Sequence, residues 1–304
     1  MVRVWGHGHR GRDDMGALVS AWENGFRQAR PEFQAVRFEV SLYGNASAVG
    51  GLYTGAADLA LIDRPPLAIE VDGYQQGTGH DPTGVAVATG SLATRHHAPA
   101  LAVIVPTANP MRSVSLEQLD AVFGADHRRG PIHVHTWGEL GLTGAWADRP
   151  VHLYGFGINR VQSFLFEKVV MKGSQKWREG LCEVADGDED APAKIVTAVG
   201  SDPDAIGITS MDGIKKTTNV RVVPVLEETG DAAAATEAAL TTGTYPLRRT
   251  LYAYFNRDPK QGITPAVKAF LEFVLSENGQ ALIKANGYLP LSSAATERSR
   301  EVVQ

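Results

Sequence analysis

The feature that most constrains the fold is a recurring order of short apolar segment, glycine-containing turn and helix along the 304 residues. At the amino terminus, an apolar segment at residues 2–5 is followed by a polar loop at 6–12 and then by a helix with one apolar stripe. Further segments that predict strands lie at residues 38–42, 58–62, 100–105 and 151–154. The segments at residues 59–62 and 100–105 are continuously apolar, which is typical of strands buried on both faces of a sheet. The order therefore predicts an α/β fold whose sheets are covered by helices on both faces.

Composition and charge exclude several classes of protein. The chain is 43% hydrophobic and has 29 basic and 34 acidic residues without a long block of like charge, so its charge predicts no nucleic-acid partner. No apolar run approaches the ~18 residues that a membrane-spanning helix needs. Cys182 is the one cysteine, which excludes an intramolecular disulfide and a cysteine-based metal framework. The amino terminus enters a strand directly and lacks the pattern of a signal peptide, so either the protein is cytoplasmic or a leader has been removed.

Several predicted turns bring small or charged residues to the ends of strands. Residues 44–48 read Gly-Asn-Ala-Ser-Ala and predict a turn, with a short helix from residue 49. The next predicted strand runs into Asp63, Arg64 and two prolines, which end it. In the middle of the chain, residues 155–160 predict a glycine-containing turn before another helix. The same order of elements, a strand followed by a turn and a helix, is thus predicted in both halves of the chain.

The most specific motif lies near the carboxyl terminus. Residues 245–254 read Tyr-Pro-Leu-Arg-Arg-Thr-Leu-Tyr-Ala-Tyr. Supporting segments lie at residues 116–124, 136–140, 205–208 and 270–291. Together, in their order and spacing, these stretches resemble the substrate-binding subunit of the bacterial phosphate ABC importer and its periplasmic-binding-protein relatives. The resemblance covers nearly the whole chain.

The resemblance implies a two-lobed α/β fold of the periplasmic-binding-protein type II, with mixed sheets flanked by helices and two hinge crossings. Residues 1–97 and 250–304 would form lobe one, and residues 98–249 would form lobe two. The implied function is that of an extracytoplasmic solute-binding protein, its signal peptide absent from this sequence, that delivers a small oxyanion to the permease of an ABC importer. Inorganic phosphate is the expected ligand, because free N–H groups and the positive ends of helix dipoles suit an oxyanion. The resemblance implies a monomer without a cofactor and without enzymatic activity.

The resemblance also assigns ligand-binding residues to loops. In the second loop Ser47 could donate its hydroxyl, and after the next strand Asp63 and Arg64 occupy positions where the family has an Asp or a Ser-Arg pair. Asp63 favours phosphate, because a carboxylate accepts a hydrogen bond from a protonated phosphate oxygen but repels fully ionised sulfate. In lobe two, the family's run of small residues is replaced by Arg160 and Gln162, which could bind an anion.

The first loop departs most from the family pattern. Where the family has hydroxyl-bearing residues before its helix, this chain has Gly-Arg-Asp-Asp before Met15, together with His7 and His9. His9 and Arg12 are the ligand-binding residues that we predict in this loop. Because the ligand loops diverge, the same fold could instead bind another ligand or serve sensing instead of transport.

Other interpretations of these residues stay open at this point. Asp63 and Arg64 could form a solvated pair at a strand end, and Arg160 could be an exposed arginine that reaches a carboxylate. A function of a different class would be a metal-dependent hydrolase that uses His7, His9 and neighbouring carboxylates. We predict no metal and no catalysis, because a zinc site needs further converging ligands and the chain contains no Gly-x-Ser-x-Gly, His-Glu-x-x-His or P-loop motif.

Overall fold

The computed structural model describes residues 1–8, 14–184, 190–214, 219–227 and 231–304. The strands of this part of the chain are β1 (Val2–Gly6), β2 (Phe38–Ser41), β3 (Leu59–Ile62), β4 (Thr83–Thr89), β5 (Leu101–Pro106), β6 (Val114–Ser115), β7 (His152–Gly155), β8 (Leu181–Glu183), β9 (Ala205–Ser210), β10 (Val220–Val223), β11 (Val225–Leu226) and β12 (Thr250–Phe255). Its α-helices are α1 (Asp14–Ala29), α2 (Asn45–Tyr53), α3 (Ala68–Thr78), α4 (Leu116–Phe123), α5 (Val161–Val169), α6 (Ala191–Ser201), α7 (Glu237–Thr242), α8 (Pro265–Val274), α9 (Glu277–Ala285) and α10 (Ser293–Val303).

The first of two compact units comprises Met1–Ala98 and Arg249–Gln304. Its sheet has the strand order β2-β1-β3-β12-β4. Strand β1 pairs in parallel with β2 and β3, whereas β12 runs antiparallel to both β3 and β4. The carboxyl ends of β1, β2 and β3 therefore lie at one edge of the sheet, and β12 begins at that same edge.

The central strand β3 is buried on both faces, which explains its continuously apolar sequence. On β3, Leu59 and Leu61 belong to a core that includes side chains of α1, α8 and α9. Ala60 and Ile62 belong to a second core, with side chains of α2 and Tyr74 of α3. The division follows from strand geometry, because successive side chains point to opposite faces of a sheet.

The second unit, Pro99–Arg248, has its own sheet, with the strand order β10-β5-β9-β7-β8. Strand β7 is parallel to β8 and β9, whereas β5 is antiparallel to β9 and β10. Strands β6 and β11 form a separate parallel pair. Helix α5 follows β7, so its amino terminus comes after the carboxyl end of that strand.

The expected fold of two mixed sheets flanked by helices is confirmed. The predicted lobe boundaries at residues 97/98 and 249/250 lie one residue from the boundaries of the two units. Helix α4 begins with a capping box: Ser115 Oγ accepts from the Gln118 N–H at 3.0 Å, and Gln118 Oε1 accepts from the Ser115 N–H at 2.9 Å. None of the helices in the described ranges is long and apolar enough to cross a membrane.

One predicted boundary is wrong. The sequence predicts a turn at residues 44–48, whereas α2 already begins at Asn45. Gly44, before it, has a φ of 123°, a conformation that glycine adopts readily. The Ala48 N–H donates to the Gly44 carbonyl at 3.1 Å, so helical hydrogen bonding starts at once. Ser47 consequently lies in the first turn of a helix and not in a loop.

Candidate functional site

Three polar side chains belong to the carboxyl edge of the first sheet. His7 follows β1, Asp63 follows β3, and Arg249 immediately precedes β12. Because β12 is antiparallel to β3, with Tyr252 opposite Ile62, the residue before β12 lies beside the residues that follow β3. The strand order thus brings together Asp63 and Arg249, which are 186 residues apart in the sequence.

Asp63 is buried, with 3% of its side chain exposed, and both of its carboxylate oxygens are bonded. Oδ1 accepts a hydrogen bond from the side-chain amide of Asn45 at 2.9 Å, and Asn45 Oδ1 accepts from the Asp63 backbone N–H at 3.3 Å. Oδ2 pairs with the guanidinium of Arg249, which is 5% exposed, and lies 3.9 Å from Nδ1 of His7. We call His7, Asn45, Asp63 and Arg249 the strand-edge cluster.

The balance of burial and charge keeps Asp63 ionised. Burial, the largest single influence, raises the pKa of this carboxyl because it disfavours the charged form. The positive charge of Arg249, the proximity of His7 and the hydrogen bond from Asn45 together outweigh burial, and they lower the pKa of Asp63 to about 2. The cluster therefore holds a buried carboxylate at neutral pH, and each ionised oxygen can accept more than one hydrogen bond.

Arg64 has a different partner from Asp63, although the two are neighbours in the sequence. Its guanidinium donates to both carboxylate oxygens of Glu70 on α3, at 2.7 and 2.6 Å. Glu70 also accepts from the backbone N–H of Leu67 at 2.8 Å, at the start of that helix. The interpretation of Asp63 and Arg64 as a solvated pair is wrong, because both are buried and each pairs with another residue.

The amino terminus of α2 adjoins the strand-edge cluster. Asn45 is the first residue of this helix and contacts Asp63, while Ser47, two residues on, is exposed. The N–H of Gly44 donates to the carbonyl of Gly6 at 3.0 Å, which joins the start of α2 to the residue before His7. The first amides of a helix have no acceptor within it and lie at the positive end of its dipole. This edge therefore presents hydrogen-bond donors beside an ionised carboxylate.

His7 belongs both to the first loop and to the strand-edge cluster. Its backbone N–H donates to the carbonyl of Leu61 at 2.8 Å, which fixes the loop to β3. Its Nε2 is buried and has no hydrogen-bond partner among the described residues. His9 and Arg12, the predicted ligand-binding residues of this loop, lie outside the described residues.

In the second unit, Arg160 and Gln162 lie at the start of α5, after the turn that follows β7. Arg160 is the N-cap residue, and its side chain makes no capping hydrogen bond. The Ser163 hydroxyl donates to the carbonyl of Gly157 at 2.9 Å and fixes the turn. Oε1 of Gln162 is buried and lacks a hydrogen-bond partner within the described ranges. A role of Arg160 and Gln162 in anion binding stays a prediction.

Within the part of the chain that the structure describes, one group of three residues has the spacing of metal ligands, namely His152, Asp202 and Asp204. Nδ1 of His152 and Oδ2 of Asp202 are 2.8 Å apart, and Asp204 Oδ1 accepts from Arg149 at 2.5 Å. The Tyr154 hydroxyl donates to Asp202 at 2.9 Å. These hydrogen bonds satisfy the group without an ion. His7 does not belong to it, and His9, the other histidine of the alternative hydrolase, lies outside the described residues.

Comparison with known proteins decides the family. A family model described as a PBP superfamily domain matches residues 17–278. The phosphate-binding protein PstS of Pseudomonas aeruginosa is 30% identical over 292 residues, which cover 95% of this chain and 84% of that protein. The chain belongs to the PBP superfamily and to its PstS family. The expected family is confirmed, and membership in it makes the chain a binding protein rather than a metal-dependent hydrolase.

Solved structures share the fold of this PBP chain. An ABC-type phosphate transport receptor from Vibrio cholerae has a TM-score of 0.61 and 18% identity, with 95% of this chain and 99% of that chain covered. PstS from Borrelia burgdorferi has a TM-score of 0.60 and 13% identity, with 96% of this chain and 99% of that chain covered. At these identities the likeness concerns the fold alone.

Four residues that build this edge of the PBP chain are not among the predicted ligand-binding residues, namely His7, Asn45, Glu70 and Arg249. Arg249 lies in the motif at residues 245–254, which contains two consecutive basic residues. Nothing in this motif indicates which acidic residue either of them pairs with. Asn45 lies in the segment that the sequence predicts as a turn, where an asparagine is an ordinary residue. Glu70 lies six residues after Arg64, at the third position of α3. Acidic residues are common in the first turn of a helix because they interact favourably with the helix dipole, so the position of Glu70 alone does not indicate a functional role.

Proposed function

We propose that this chain is an extracytoplasmic receptor that binds inorganic phosphate and delivers it to the permease of an ABC importer. Membership in the PstS family supports this ligand, since the relative from Pseudomonas aeruginosa is named a phosphate-binding protein. The fold neighbour from Vibrio cholerae, described as an ABC-type phosphate transport receptor, is consistent with transport. The proposed receptor is a monomer, needs no cofactor and catalyses no reaction.

The observation that carries the proposal is the buried, ionised carboxylate of Asp63 beside the amino terminus of α2. A carboxylate weakens the binding of an anion unless the anion brings a proton to share with it. Phosphate at neutral pH keeps at least one P–O–H group that can donate to Asp63, whereas sulfate has none. Asp63 would therefore select phosphate against sulfate, because sulfate leaves a repulsive contact without a hydrogen bond.

The other predicted residues would supply donors and positive charge. In the first unit, the Ser47 hydroxyl and the first amides of α2 would donate to phosphate oxygens. Arg64 is a predicted cation of this unit, and its pair with Glu70 compensates its charge. In the second unit, Arg160 would offer its guanidinium and Gln162 its side-chain N–H groups. The proposed binding residues are His9, Arg12, Ser47, Asp63, Arg64, Arg160 and Gln162.

Isothermal titration of phosphate-free protein at pH 7 tests the proposal. The wild-type protein should bind phosphate and not sulfate. In Asp63→Asn the anionic acceptor becomes a neutral amide that can also donate. We therefore expect phosphate affinity to fall about tenfold to a hundredfold, as for the loss of a hydrogen bond to a charged group, and sulfate binding to be gained.

Asp72→Asn is the matched control, because it makes the same chemical change at an exposed position of α3. Its affinity for both anions should equal that of the wild-type protein. If the wild-type protein binds neither anion, phosphate is not the ligand. If Asp63→Asn leaves the preference for phosphate over sulfate unchanged, Asp63 does not select the ligand.

A further inference from the structure

Two buried polar atoms of the strand-edge cluster lack hydrogen-bond partners among the described residues. They are Nε2 of His7 and Nε of Arg249. Arg249 is 4% exposed, so its Nε cannot be satisfied by bulk solvent. Buried polar atoms in folded proteins are nearly always hydrogen-bonded, to protein, to ordered water or to a ligand. Two unpaired nitrogen atoms around one carboxylate therefore mark a place where a water molecule or a bound ligand can complete the hydrogen bonds of this cluster.

The two ring nitrogens of His7 have different surroundings. Nδ1 lies 3.9 Å from the carboxylate of Asp63, so the other nitrogen, Nε2, is the one available for a ligand. The residue before His7, Gly6, accepts a hydrogen bond from Gly44 at the start of α2. The backbone before His7 is thus joined to the helix terminus proposed to bind the anion, and the imidazole lies beside the buried carboxylate.

The charges around His7 explain why its protonation matters. Asp63 pairs with Arg249, and Glu70 pairs with Arg64, so these four groups carry no net charge. An incoming anion would meet a net positive side-chain charge in this group only when His7 is protonated. A protonated imidazole donates from both nitrogens, from Nδ1 towards Asp63 and from Nε2 towards the ligand.

We propose that His7 binds phosphate through Nε2 in its protonated form, so that phosphate binding is coupled to the uptake of a proton from solvent. This inference rests on the proposed phosphate function and adds to it a binding residue outside the set predicted from the sequence. Asp63 then has two roles: it accepts a hydrogen bond from the ligand, and it stabilises the charge on the imidazole. The proton is shared by Nε2 and a phosphate oxygen, and no covalent bond of the ligand changes.

Calorimetric titration in pairs of buffers with different ionisation enthalpies measures the protons taken up on binding. The variant His7→Gln keeps a side-chain N–H donor but cannot be protonated. Phosphate itself titrates near neutral pH, but its contribution is common to both proteins and cancels in their difference. At pH 8 we expect the wild-type protein to take up about half to one proton more than His7→Gln, because the proposed complex holds a proton on the imidazole that glutamine cannot hold.

Affinity provides a second readout. At pH 6 the wild-type protein should bind phosphate at least about tenfold more tightly than His7→Gln, and this ratio should shrink towards pH 8.5 as protonation of the imidazole becomes harder. His80→Gln is the matched control, since His80 follows the far end of α3 and contacts Tyr74 rather than the cluster. It should match the wild-type protein at every pH.

The outcomes separate this inference from the proposed function. If the wild-type protein binds phosphate with the proton uptake and pH profile of His7→Gln, the role of His7 is refuted and the phosphate function stands. If the wild-type protein binds no phosphate, the function fails and this inference fails with it. If His7→Gln does not fold, ¹⁵N chemical shifts of the wild-type imidazole decide: two protonated nitrogens in the phosphate complex support the proposal, and a neutral tautomer refutes it.

Discussion

Asp63 is stable as a buried carboxylate because its neighbours compensate its charge. Arg249 supplies a positive charge, Asn45 supplies a hydrogen bond, and His7 lies at ion-pair distance. An ionised carboxyl without such partners would be protonated or would destabilise the fold, since desolvation disfavours its charge. The arrangement therefore makes the stability of the first unit depend on a pair of residues that also contribute to the proposed site.

Replacement of Arg249 tests this dependence. Arg249→Met removes the compensating charge and leaves Asp63 buried without its ion-pair partner, so we expect the free energy of unfolding to fall by about 3–5 kcal/mol. Urea unfolding at pH 7 measures the change. The double variant Arg249→Met/Asp63→Asn should recover part of the loss, because it removes the uncompensated charge.

Arg248→Met provides the control for the loss of a long cationic side chain. Arg248 donates to the backbone carbonyls of Gly243 and Tyr245, at 2.8 and 3.3 Å, and has no carboxylate partner among the described residues. We expect its replacement to lower the free energy of unfolding by about 1 kcal/mol. Equal losses for Arg248→Met and Arg249→Met would contradict the compensation of Asp63 by Arg249.

The pH dependence of stability follows from the same carboxyl. The pKa of Asp63 falls from an ordinary 3.8 to about 2 in the folded protein, although burial alone raises it, because Arg249 and the other partners outweigh burial. A lowered pKa stabilises the folded state above the unfolded-state pKa, and this stability is lost as the pH falls from about 4 to about 2. The contribution amounts to about 2 kcal/mol.

Unfolding free energies at pH 7, 4, 3 and 2 check this prediction. Asp63→Asn should show a shallower loss of stability below pH 4 than the wild-type protein, because one of the groups that titrates there has been removed. Asp72→Asn again serves as the control. Identical slopes for the wild-type protein and Asp63→Asn would contradict the lowered pKa.

At the scale of secondary-structure elements, the start of α2 determines where the proposed donors lie. Gly44 combines a φ of 123° with a hydrogen bond from its N–H to Gly6, and it accepts the first helical bond from Ala48. The backbone conformation at one residue thus sets both the position and the direction of the first turn of α2. The first amides of this turn, with the exposed Ser47, are available for an anion as a consequence.

Gly44→Ala tests the importance of this conformation. A Cβ at position 44 would meet nothing within 4 Å, so the cost is backbone strain, and we expect a loss of about 1–3 kcal/mol in stability. We also expect weaker phosphate binding, because relief of the strain redirects the first turn of α2. Thermal unfolding and calorimetric titration measure the two effects.

Gly50→Ala is the matched control within the same helix. A Cβ at position 50 would meet only the Tyr53 hydroxyl, at 3.8 Å, and Gly50 lies inside α2. There alanine is favoured over glycine, so we expect up to about 1 kcal/mol of added stability and unchanged phosphate affinity. Equal effects of the two substitutions would show that the conformation of Gly44 is unimportant.

In the whole molecule, the first unit consists of two segments of the chain, and the second unit lies between them in the sequence. The residues Arg249–Gln304 return to the first unit and insert β12 between β3 and β4. The same carboxyl-terminal segment places Arg249 beside Asp63. A fragment that ended at Ala98 would lack both the strand that joins β3 to β4 and the cation that compensates the buried carboxylate.

The fold is largely predictable because its signals are local. Continuously apolar segments predict buried strands such as β3 and β5, and the capping box of Ser115 and Gln118 marks the start of α4. The motifs that indicate the family are likewise contiguous runs of residues spread along the chain. The predicted turn at residues 44–48 is wrong, because small residues suit a turn and a first helical turn equally well.

Local patterns and motifs are sufficient to predict mixed α/β units of a known family, and they place Asp63, Arg160 and Gln162 at the ends of strands or the starts of helices. The pairing of Asp63 with Arg249, and of its neighbour Arg64 with Glu70, depends instead on how the chain folds in three dimensions. The reason is that hydrophobic periodicity acts over a few residues, whereas an ion pair across 186 residues depends on which strands lie side by side. Strand order is a property of the folded sheet, and no single segment of the chain specifies it.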